Sequence, residues 1–493
     1  MQKKATKPPA KTAKKKKPPV KKQDQKFSLK RLIMGEEKPD LTELEAGSTT
    51  ILDILSPTTI DTKSRDYIVV DGIFHAYLYV AGYGYSTTVG SCWLAPLVEA
   101  GEGVNLLYNR SPVFLDPFDD YKYTNGNCWI GGSSGAGKTF TLQCLGGRLR
   151  QQGKRVIFIV PKKGHEFRPL CELLGGLYLR LSPSSRDCPN VMAIRRRSLD
   201  SYSGLRDMAA RDDSVLADKI SRLIIWYSLQ KRDLSDEDKN HLDSSLVECY
   251  RQYGITFDNG TITDEFGDFV EMPVLPDWYN VLSKNPETKH LAVVLARYVT
   301  GSASAMGQRN DIDLDNKYIV LDTSGMPDDL LLPGIFWATD VANDLIMDAG
   351  GDLSALIADE LWSLVGANSN PLAAGFVQEM VKTIRGLGGI AVTSTQGMQD
   401  LFGLDGGKYG KGILDSSRIK LVMQMEEQEA RLIQGVLNLS EDEVRQITRF
   451  RRGEGLLCVG YNHVPVQFHA TEKEYDAITT SPTDLRARRK EET

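Results

Sequence analysis

From about residue 111 onward the chain alternates between short, unbroken apolar runs and longer stretches with helical periodicity. Runs without polar alternation predict strands buried on both faces, as in a parallel sheet. The helical stretches between them predict helices on both sides of that sheet. The predicted strands are Cys128–Ile130, Val156–Val160, Tyr318–Leu321, Leu356–Ala358, Ile390–Thr393, Ile419–Met423 and Leu456–Val459.

A different pattern fills about residues 200–310, between the second and third predicted strands. Two apolar stripes there recur at the spacing of one helix face, which is typical of core packing. The second stripe follows a capping-box pair, Ser235 with Asp238, and ends before Gly254, which suits a helix C-cap. We therefore expect an all-α insertion. The stripes are Leu216, Ile220, Leu223, Ile224 and Tyr227, then Leu242, Leu246, Cys249, Tyr250 and Tyr253.

The N-terminal part divides by composition. Residues 1–30 are rich in Lys and Pro and hold too little apolar surface to offset the entropy of ordering, which predicts a disordered tail. Residues 31–110 predict a small β-containing domain, with strand candidates at 67–70 and 73–80 around a turn at Asp71-Gly72. The main domain is predicted over residues 111–493.

Charge is distributed unevenly. Residues 1–31 carry a net charge of +12, whereas the whole chain carries −5, so the remainder is strongly acidic. The acidic remainder of the chain argues against a broad surface that binds nucleic acid. A local basic channel in an oligomer remains an alternative. The Lys-rich tail suits contact with DNA or an anionic membrane, or a purely solubilising role.

Two further absences in the sequence bear on where the protein works. No run of 18 apolar residues is present, so we expect no transmembrane helix. The seven Cys residues form no C-x-x-C pair, which favours a reducing, cytosolic compartment.

Residues 132–139 match the G-x-x-x-x-G-K-[ST] pattern of a phosphate-binding loop. The loop follows the predicted strand Cys128–Ile130 and precedes helical spacing from Phe140, which is the context the motif requires. Glycine lets backbone N–H groups curl around a phosphate. Lys138 supplies a cation for the β- and γ-phosphates, and Thr139 a hydroxyl ligand for Mg²⁺. The sequence thus predicts ATP and Mg²⁺, held by Gly132, Ser133, Ser134, Gly135, Ala136, Gly137, Lys138 and Thr139.

The predicted strand Leu356–Ala358 runs directly into Asp359 and Glu360. Hydrolysis needs two carboxylates with different tasks. Asp359 would hold the Mg²⁺ shell, and Glu360 would orient and deprotonate the attacking water. The structural alternative is a helix N-cap, where Asp and Glu are common.

Two more polar residues flank the predicted strand Ile390–Thr393. Gln396 follows it, and a Gln at a strand tip can sense the γ-phosphate or the attacking water. A plain strand end is the alternative. Arg385 precedes the strand and is a candidate phosphate contact within the chain or across a subunit boundary, or else a surface salt bridge.

Together these motifs resemble the ATPases of type IV secretion and conjugative transfer, the CagE/TrbE/VirB family of the HerA/FtsK-like P-loop superfamily. Ala358–Trp362 resembles that family's Asp-Glu-x-Trp element, and Thr395-Gln396 its Thr-Gln sensor. The stretch from Gly453 to Pro482 is similar to the family's closing segment.

The resemblance implies an α/β fold, with a RecA-like P-loop NTPase domain, an all-α insertion and a small N-terminal β-containing domain. It also implies a hexamer at the cytoplasmic face of the cell membrane that hydrolyses ATP to drive assembly or substrate transfer. The implied partners are inner-membrane channel proteins and a DNA-coupling ATPase. A HerA/FtsK-like DNA translocase and a non-catalytic ATP-binding assembly module are the alternatives.

The sequence departs from the family pattern in two places. The family usually has an acidic residue before the proline that follows the second strand, whereas here Val160 precedes Pro161 and two lysines, Lys162 and Lys163, follow. Family members also carry a larger domain before the phosphate loop, so residues 31–110 would be a short form of it. The resemblance therefore implies ATP binding more directly than it implies docking onto a channel.

Overall fold

The structure is a computed structural model, and all the residues it describes belong to one unit, Asp61–Thr493. The predicted tail and the strand candidates at 67–70 and 73–80 lie outside the described residues. The described residues are 92–94, 112–113, 116–118, 124–195, 214–231, 233–310, 312–348, 352–366, 369–398, 404–460, 462–468 and 470–479.

A single mixed sheet of eleven strands runs through the described residues. In chain order the strands are β1 (Cys92–Leu94), β2 (Pro112–Val113), β3 (Cys128–Gly131), β4 (Arg155–Val160), β5 (Leu177–Arg180), β6 (Tyr318–Asp322), β7 (Ser354–Ala358), β8 (Gly389–Thr395), β9 (Ile419–Met423), β10 (Glu454–Val459) and β11 (Asn462–Phe468). Their order across the sheet is β2-β1-β11-β10-β9-β3-β8-β7-β4-β6-β5. The strands from β9 to β5 pair in parallel, and those from β9 to β2 pair antiparallel.

All seven predicted strands are present, and the parallel ones are buried on both faces as their unbroken apolar runs predict. Sequence analysis missed four strands, the short β1 and β2 as well as β5 and β11. β5 lies at the edge of the sheet and is only partly buried, so its apolar signal is weak. β11 mixes buried and half-buried positions and contains Pro465, which argues against a strand on sequence grounds.

Twelve α-helices flank this sheet in the described residues. In chain order they are α1 (Lys138–Gln151), α2 (Arg168–Leu173), α3 (Val215–Ser228), α4 (Asp236–Arg251), α5 (Leu275–Lys284), α6 (Lys289–Val299), α7 (Asp328–Met347), α8 (Pro371–Thr383), α9 (Lys408–Asp415), α10 (Glu427–Leu437), α11 (Glu441–Arg449) and α12 (Glu472–Ile478).

The sheet separates two hydrophobic cores, and the alternation along β4 shows how. Val156, Phe158 and Val160 pack into the core that contains α1 and α2, whereas Ile157 and Ile159 pack into the core that contains α7 and the helices inserted after β5. Because successive side chains of a strand point to opposite faces, one fully apolar strand serves both cores.

Within the region predicted as an insertion, the described residues form four helices, α3 to α6, and both predicted stripes supply buried core residues. The predicted capping box is present: Ser235 Oγ accepts from the Asp238 amide at 3.0 Å, and Asp238 accepts from the Ser235 amide at 3.1 Å. One isolated bridge, between Thr263 and Phe269, adds a small extended element. The boundaries of this insertion and of the domains stay predictions.

A buried charge cluster joins the inserted helix α3 to α7. Lys219 Nζ lies 2.6 Å from Asp340, and Arg222 lies 2.6 Å from Asp340 and 2.7 Å from Asp344. Burial alone would raise the pKa of Asp340, but Arg222 and Lys219 lower it to about 2. We define these four residues as the anchor cluster, because they fix α3 on the sheet domain.

Helix α7 qualifies by length and composition as a membrane span, with a mean hydropathy of 1.3, although the sequence led us to expect no such segment. Most of it, 78%, is buried inside the fold, and it carries the two carboxylates of the anchor cluster. Burial between the sheet and the insertion therefore accounts for its apolar character.

Strand β1 comes from the segment predicted as a separate N-terminal domain, yet it extends the main sheet. Its backbone pairs antiparallel with β11, with Cys92 opposite Phe468 and Leu94 opposite Val466. Local patterns in the sequence could not reveal this contact, because the two strands are far apart along the chain.

Candidate nucleotide-binding site

The predicted phosphate loop, residues 132–139, leaves the carboxyl end of β3 and leads into α1. Since β3, β7 and β8 are parallel, the residues after these strands meet at one edge of the sheet. A cleft of about 190 Å³ opens there. It is lined by Ser134, Gly135, Gly137, Lys138, Thr139, Phe140, Gln143, Lys162, Lys163, Glu166, Asp359, Gln396, Arg452 and Ile478.

Two glycines let the phosphate loop adopt its path. Gly137 has φ 107°, a conformation that residues with a Cβ rarely adopt. At Gly132 the backbone runs so close to β9 that an added Cβ would lie 2.9 Å from Met423 Cβ. The loop is therefore shaped by backbone geometry that only glycine tolerates at these points.

Backbone hydrogen bonds hold the loop from two sides. The Ser133 amide donates to Gln424 O at 2.8 Å, just after β9. The Gly453 amide donates to Ala136 O at 2.9 Å, just before β10. The segment that resembles the family's closing element thus contacts the loop directly.

The Lys138 side chain is buried and folds back over its own loop. Its Nζ donates to Gly132 O at 2.5 Å and to Ser133 O at 2.9 Å. Burial lowers the pKa of Lys138, although the nearby carboxylates Asp359 and Glu360 oppose this shift. The ammonium group is thus held by carbonyls at the mouth of a loop whose N–H groups are suited to phosphate.

Asp359 stands at the carboxyl end of β7, beside the cleft. Its amide donates to Ile159 O at 3.0 Å, which continues the pairing with β4, and its carboxylate accepts from Ser394 Oγ. Burial raises the pKa of Asp359, and the bond from Ser394 and the charge of Lys138 counteract that. β8 thus orients the carboxylate that the sequence assigns to Mg²⁺.

Glu360 adopts left-handed backbone geometry, with φ 58°, although it is not a glycine. Such strain costs about 1–3 kcal/mol and is concentrated at functional sites. Glu360 occupies the N-cap position of the short turn Leu361–Leu364, but its side chain makes no capping hydrogen bond there. The side chain is 6% exposed, with Oε1 3.6 Å from Lys162 Nζ.

Comparison with known families decides the wider assignment. The profile described as the TraG P-loop domain matches residues 107–486, well over half of the chain. This chain belongs to the TraG P-loop domain family.

One solved structure supports that assignment, and a second is more distantly similar. The VirB4 structure of Thermoanaerobacter pseudethanolicus is 29% identical, covers 74% of this chain and 95% of its own, and has a TM-score of 0.64. The plasmid coupling protein TrwB in complex with ADP and Mg²⁺ is 14% identical over 73% of this chain and 88% of its own, with a TM-score of 0.45. A comparison with curated proteins finds no match. The resemblance to type IV secretion and conjugative transfer ATPases and the RecA-like α/β fold are confirmed.

In this TraG P-loop domain Arg385 does not lie where a contact to phosphate within the chain requires. It is exposed just before β8, whereas Gln396 follows the other end of that strand and lines the cleft. Seven strand residues at about 3.3 Å each separate the two by roughly 20 Å. Arg385 and the cleft thus lie at opposite ends of β8, and a contact of Arg385 to phosphate, within the chain or from another subunit, stays a prediction.

The TraG P-loop domain also brings residues to the cleft that sequence analysis did not place there. Arg452 precedes the Gly453 contact, and Glu166 follows the two lysines after β4. Gln143 is fully buried and lines the cleft, and neither polar atom of its amide has a hydrogen-bond partner among the described residues. Its position one helical turn after Thr139 was the available signal, because residues i and i+4 share a helix face.

The residues at this cleft suit a magnesium ion that shares its ligands with a nucleotide. No group of three or more His, Cys, Asp or Glu in the described parts of the chain could hold a metal alone. Mg²⁺ in nucleotide sites characteristically uses one or two protein oxygens, phosphate oxygens and water. Thr139 and Asp359 offer such oxygens, and the buried amide of Gln143 has hydrogen-bonding capacity to spare.

Proposed function

We propose that this chain is the ATP-hydrolysing motor of a type IV secretion or conjugation apparatus. One observation carries the proposal: Lys138 and Thr139 of the phosphate loop line one cleft together with Asp359, which follows β7 and is itself followed by Glu360. The strands β3 and β7 that lead to these residues run parallel on either side of β8. Membership of the TraG P-loop domain family supports the biological setting.

Each residue has a distinct chemical task. Lys138 exchanges its two loop carbonyls for the β- and γ-phosphates of ATP and offsets their charge. Glu360 orients the attacking water and accepts its proton. Gln396, at the end of β8, contacts the γ-phosphate or that water and so distinguishes ATP from ADP.

Thr139 and Asp359 would hold Mg²⁺, which would supply charge neutralisation for the bound triphosphate. Ser394 donates to the Asp359 carboxylate and keeps it oriented. The Gly453 amide fixes the loop at Ala136, so the closing segment keeps the phosphate-binding backbone in register.

The proposed setting is a hexamer at the cytoplasmic face of the inner membrane, with channel proteins and a DNA-coupling ATPase as partners. The likeness to VirB4 over 74% of the chain supports it. In such a ring Arg385, exposed at the far edge of the sheet, belongs to the surface that a neighbouring subunit meets. The Lys-rich tail adds contact with DNA or with anionic lipid.

Replacing Glu360 with Gln tests the proposal. We expect kcat for ATP to fall by roughly 10²–10⁴-fold while nucleotide affinity persists, since general base catalysis contributes about that much. Glu166→Gln is the matched control, because it removes another carboxylate from the same cleft and should change kcat only a few-fold. Equal losses in both variants, or a wild type without turnover, would refute the motor and favour an assembly module that binds ATP.

A second measurement tests the assembly. If an arginine acts between subunits, turnover per subunit rises with protein concentration, and Arg385→Ala lowers kcat without weakening nucleotide binding. A rate per subunit that stays constant from dilute to concentrated protein contradicts that part of the proposal.

A further inference from the structure

Two consecutive lysines, Lys162 and Lys163, follow β4 and line the nucleotide cleft, but they have different acidic partners. Lys162 Nζ lies 3.6 Å from Glu360, the carboxylate assigned to the attacking water. Lys163 Nζ lies 3.9 Å from Glu166. The two lysines can therefore be compared directly, because they have the same side chain in neighbouring positions and differ in their acidic partner.

The ion pair of Lys162 with Glu360 has one fixed and one movable partner. Glu360 is 6% exposed and follows β7 in left-handed backbone geometry. The Lys162 side chain is 59% exposed, and a lysine carries its charge on a four-carbon stem with many rotamers. Ion pairs that involve an exposed lysine contribute little to stability, so a stronger negative charge can take the lysine away.

A nucleoside triphosphate brings such a charge to this cleft. Besides Lys162, the cleft is lined by three cations, Lys138, Lys163 and Arg452, and by two carboxylates, Asp359 and Glu166. Glu360 adjoins it through Asp359 and through the contact with Lys162. Phosphate oxygens bound at the loop compete directly with Glu360 for Lys162, because all three meet at the same edge of the sheet. ADP, which lacks the terminal phosphate, competes less.

We propose that Lys162 is a positioning residue that pairs with Glu360 while the cleft holds no triphosphate and moves to the terminal phosphate of ATP when it binds. The move frees Glu360 to hold the attacking water only when a γ-phosphate is present. The proposal rests on the proposed function, because it takes Glu360 as the water-activating group. The lysine stays protonated throughout, and no covalent bond to it forms or breaks.

Binding measurements on the full chain test this, with Lys162→Met and its matched control Lys163→Met. Both lysines are mostly exposed, at 59% and 72%, so neither change removes core packing. For Lys162→Met we expect a roughly tenfold loss of affinity for a non-hydrolysable ATP analogue and little change for ADP, as for one charge-assisted contact. Lys163→Met should change both affinities by the same factor.

The conservative variant Lys162→Arg should restore the preference for the ATP analogue over ADP, because it keeps the charge. Equal weakening of ATP-analogue and ADP binding in Lys162→Met would overturn the proposal, as would an arginine variant that behaves like the methionine variant.

A double-mutant cycle with Glu360→Gln tests the competition itself. Removing the carboxylate charge frees Lys162, so Lys162→Met should cost the ATP analogue about threefold more affinity in the Glu360→Gln background than in the wild type. Independent effects would refute the exchange of partners. These binding readouts do not depend on turnover, so an active Glu360→Gln enzyme would refute the proposed function separately.

Discussion

Two clusters of buried charge, only one of them at the cleft, show how differently this fold treats ionised side chains. In the anchor cluster, Lys219 and Arg222 lie 2.6–2.7 Å from Asp340 and Asp344, and each charge has an opposite charge within the fold. At the cleft, Lys138 bonds to backbone carbonyls instead, and Asp359 accepts from a serine hydroxyl.

The difference has a physical meaning. Charges that are neutralised by each other fix two helices in place and leave nothing for a ligand. Charges that are held by neutral dipoles keep most of their attraction for an incoming ion, because a dipole compensates a buried charge less completely than an opposite charge does. The anchor cluster is thus suited to stability and the cleft to binding.

Arg222→Met should produce the largest effect on stability. It removes the guanidinium that lies 2.6 Å from Asp340 and 2.7 Å from Asp344 in a buried site, which costs about 3–5 kcal/mol of unfolding free energy. Denaturant unfolding measures this. The control is Arg251→Met, which removes an exposed ion pair from α4 and should cost less than about 1 kcal/mol. Similar losses in both variants would erase the distinction between the clusters.

Lys138→Met should lower the affinity for nucleotide without lowering stability. Losing the phosphate-binding ammonium costs roughly 2–5 kcal/mol of nucleotide affinity, as for truncating a buried charge pair. Stability should not fall, because burial disfavours the charged Lys138 in the folded protein, as its lowered pKa shows. Calorimetric titration with ATP and thermal unfolding together check this. A variant that binds ATP normally, or that unfolds like Arg222→Met, contradicts the comparison.

Ser394→Ala should shift the pH dependence of Mg²⁺ binding. Burial raises the pKa of Asp359 and the bond from Ser394 lowers it, so the variant raises the pKa further. The carboxylate then takes up a proton at a higher pH, and Mg²⁺-dependent nucleotide affinity is lost at a higher pH on acidification than in the wild type. Titrating Mg²⁺ against a fluorescent nucleotide at several pH values measures the shift. An unchanged acid limb would show that Ser394 does not support Asp359.

Gln143→Leu should have the smallest effect. It should raise the free energy of unfolding and lower the affinity for nucleotide. Replacing a buried amide that lacks hydrogen-bond partners with an apolar side chain of similar size should add about 1 kcal/mol of stability. Nucleotide affinity in the presence of Mg²⁺ should fall a few-fold. Gln151→Leu, at the exposed end of the same helix, is the control. A stability gain without loss of affinity would make Gln143 a passive packing residue.

The sequence predicted the features that depend on local composition. Fully apolar runs predicted the parallel strands because both faces of those strands are buried. The phosphate-loop motif was recognisable because the backbone geometry of the loop requires glycine at fixed positions, such as 132 and 137. Asp359 and Glu360 followed from their place at the end of one such run.

Contacts between distant segments were beyond the sequence patterns. The approach of Lys162 to Glu360 depends on β4 and β7 being neighbours, which the order of strands along the chain does not dictate. The position of Arg385 relative to the cleft was also beyond local patterns. Proximity to Gln396 in sequence suggested proximity in space, whereas an intervening strand carries the two to opposite edges of the sheet.

The pairing of β1 with β11 has a practical consequence for anyone who shortens this protein. A fragment that starts at residue 111, where the sequence suggests a domain boundary, loses β1 and exposes the backbone of β11 along residues 466–468. Unpaired strand edges recruit other chains through their free N–H and C=O groups. Such a fragment would be prone to edge-to-edge aggregation that resembles oligomer formation, and fragments intended for assembly studies should retain residues 92–94.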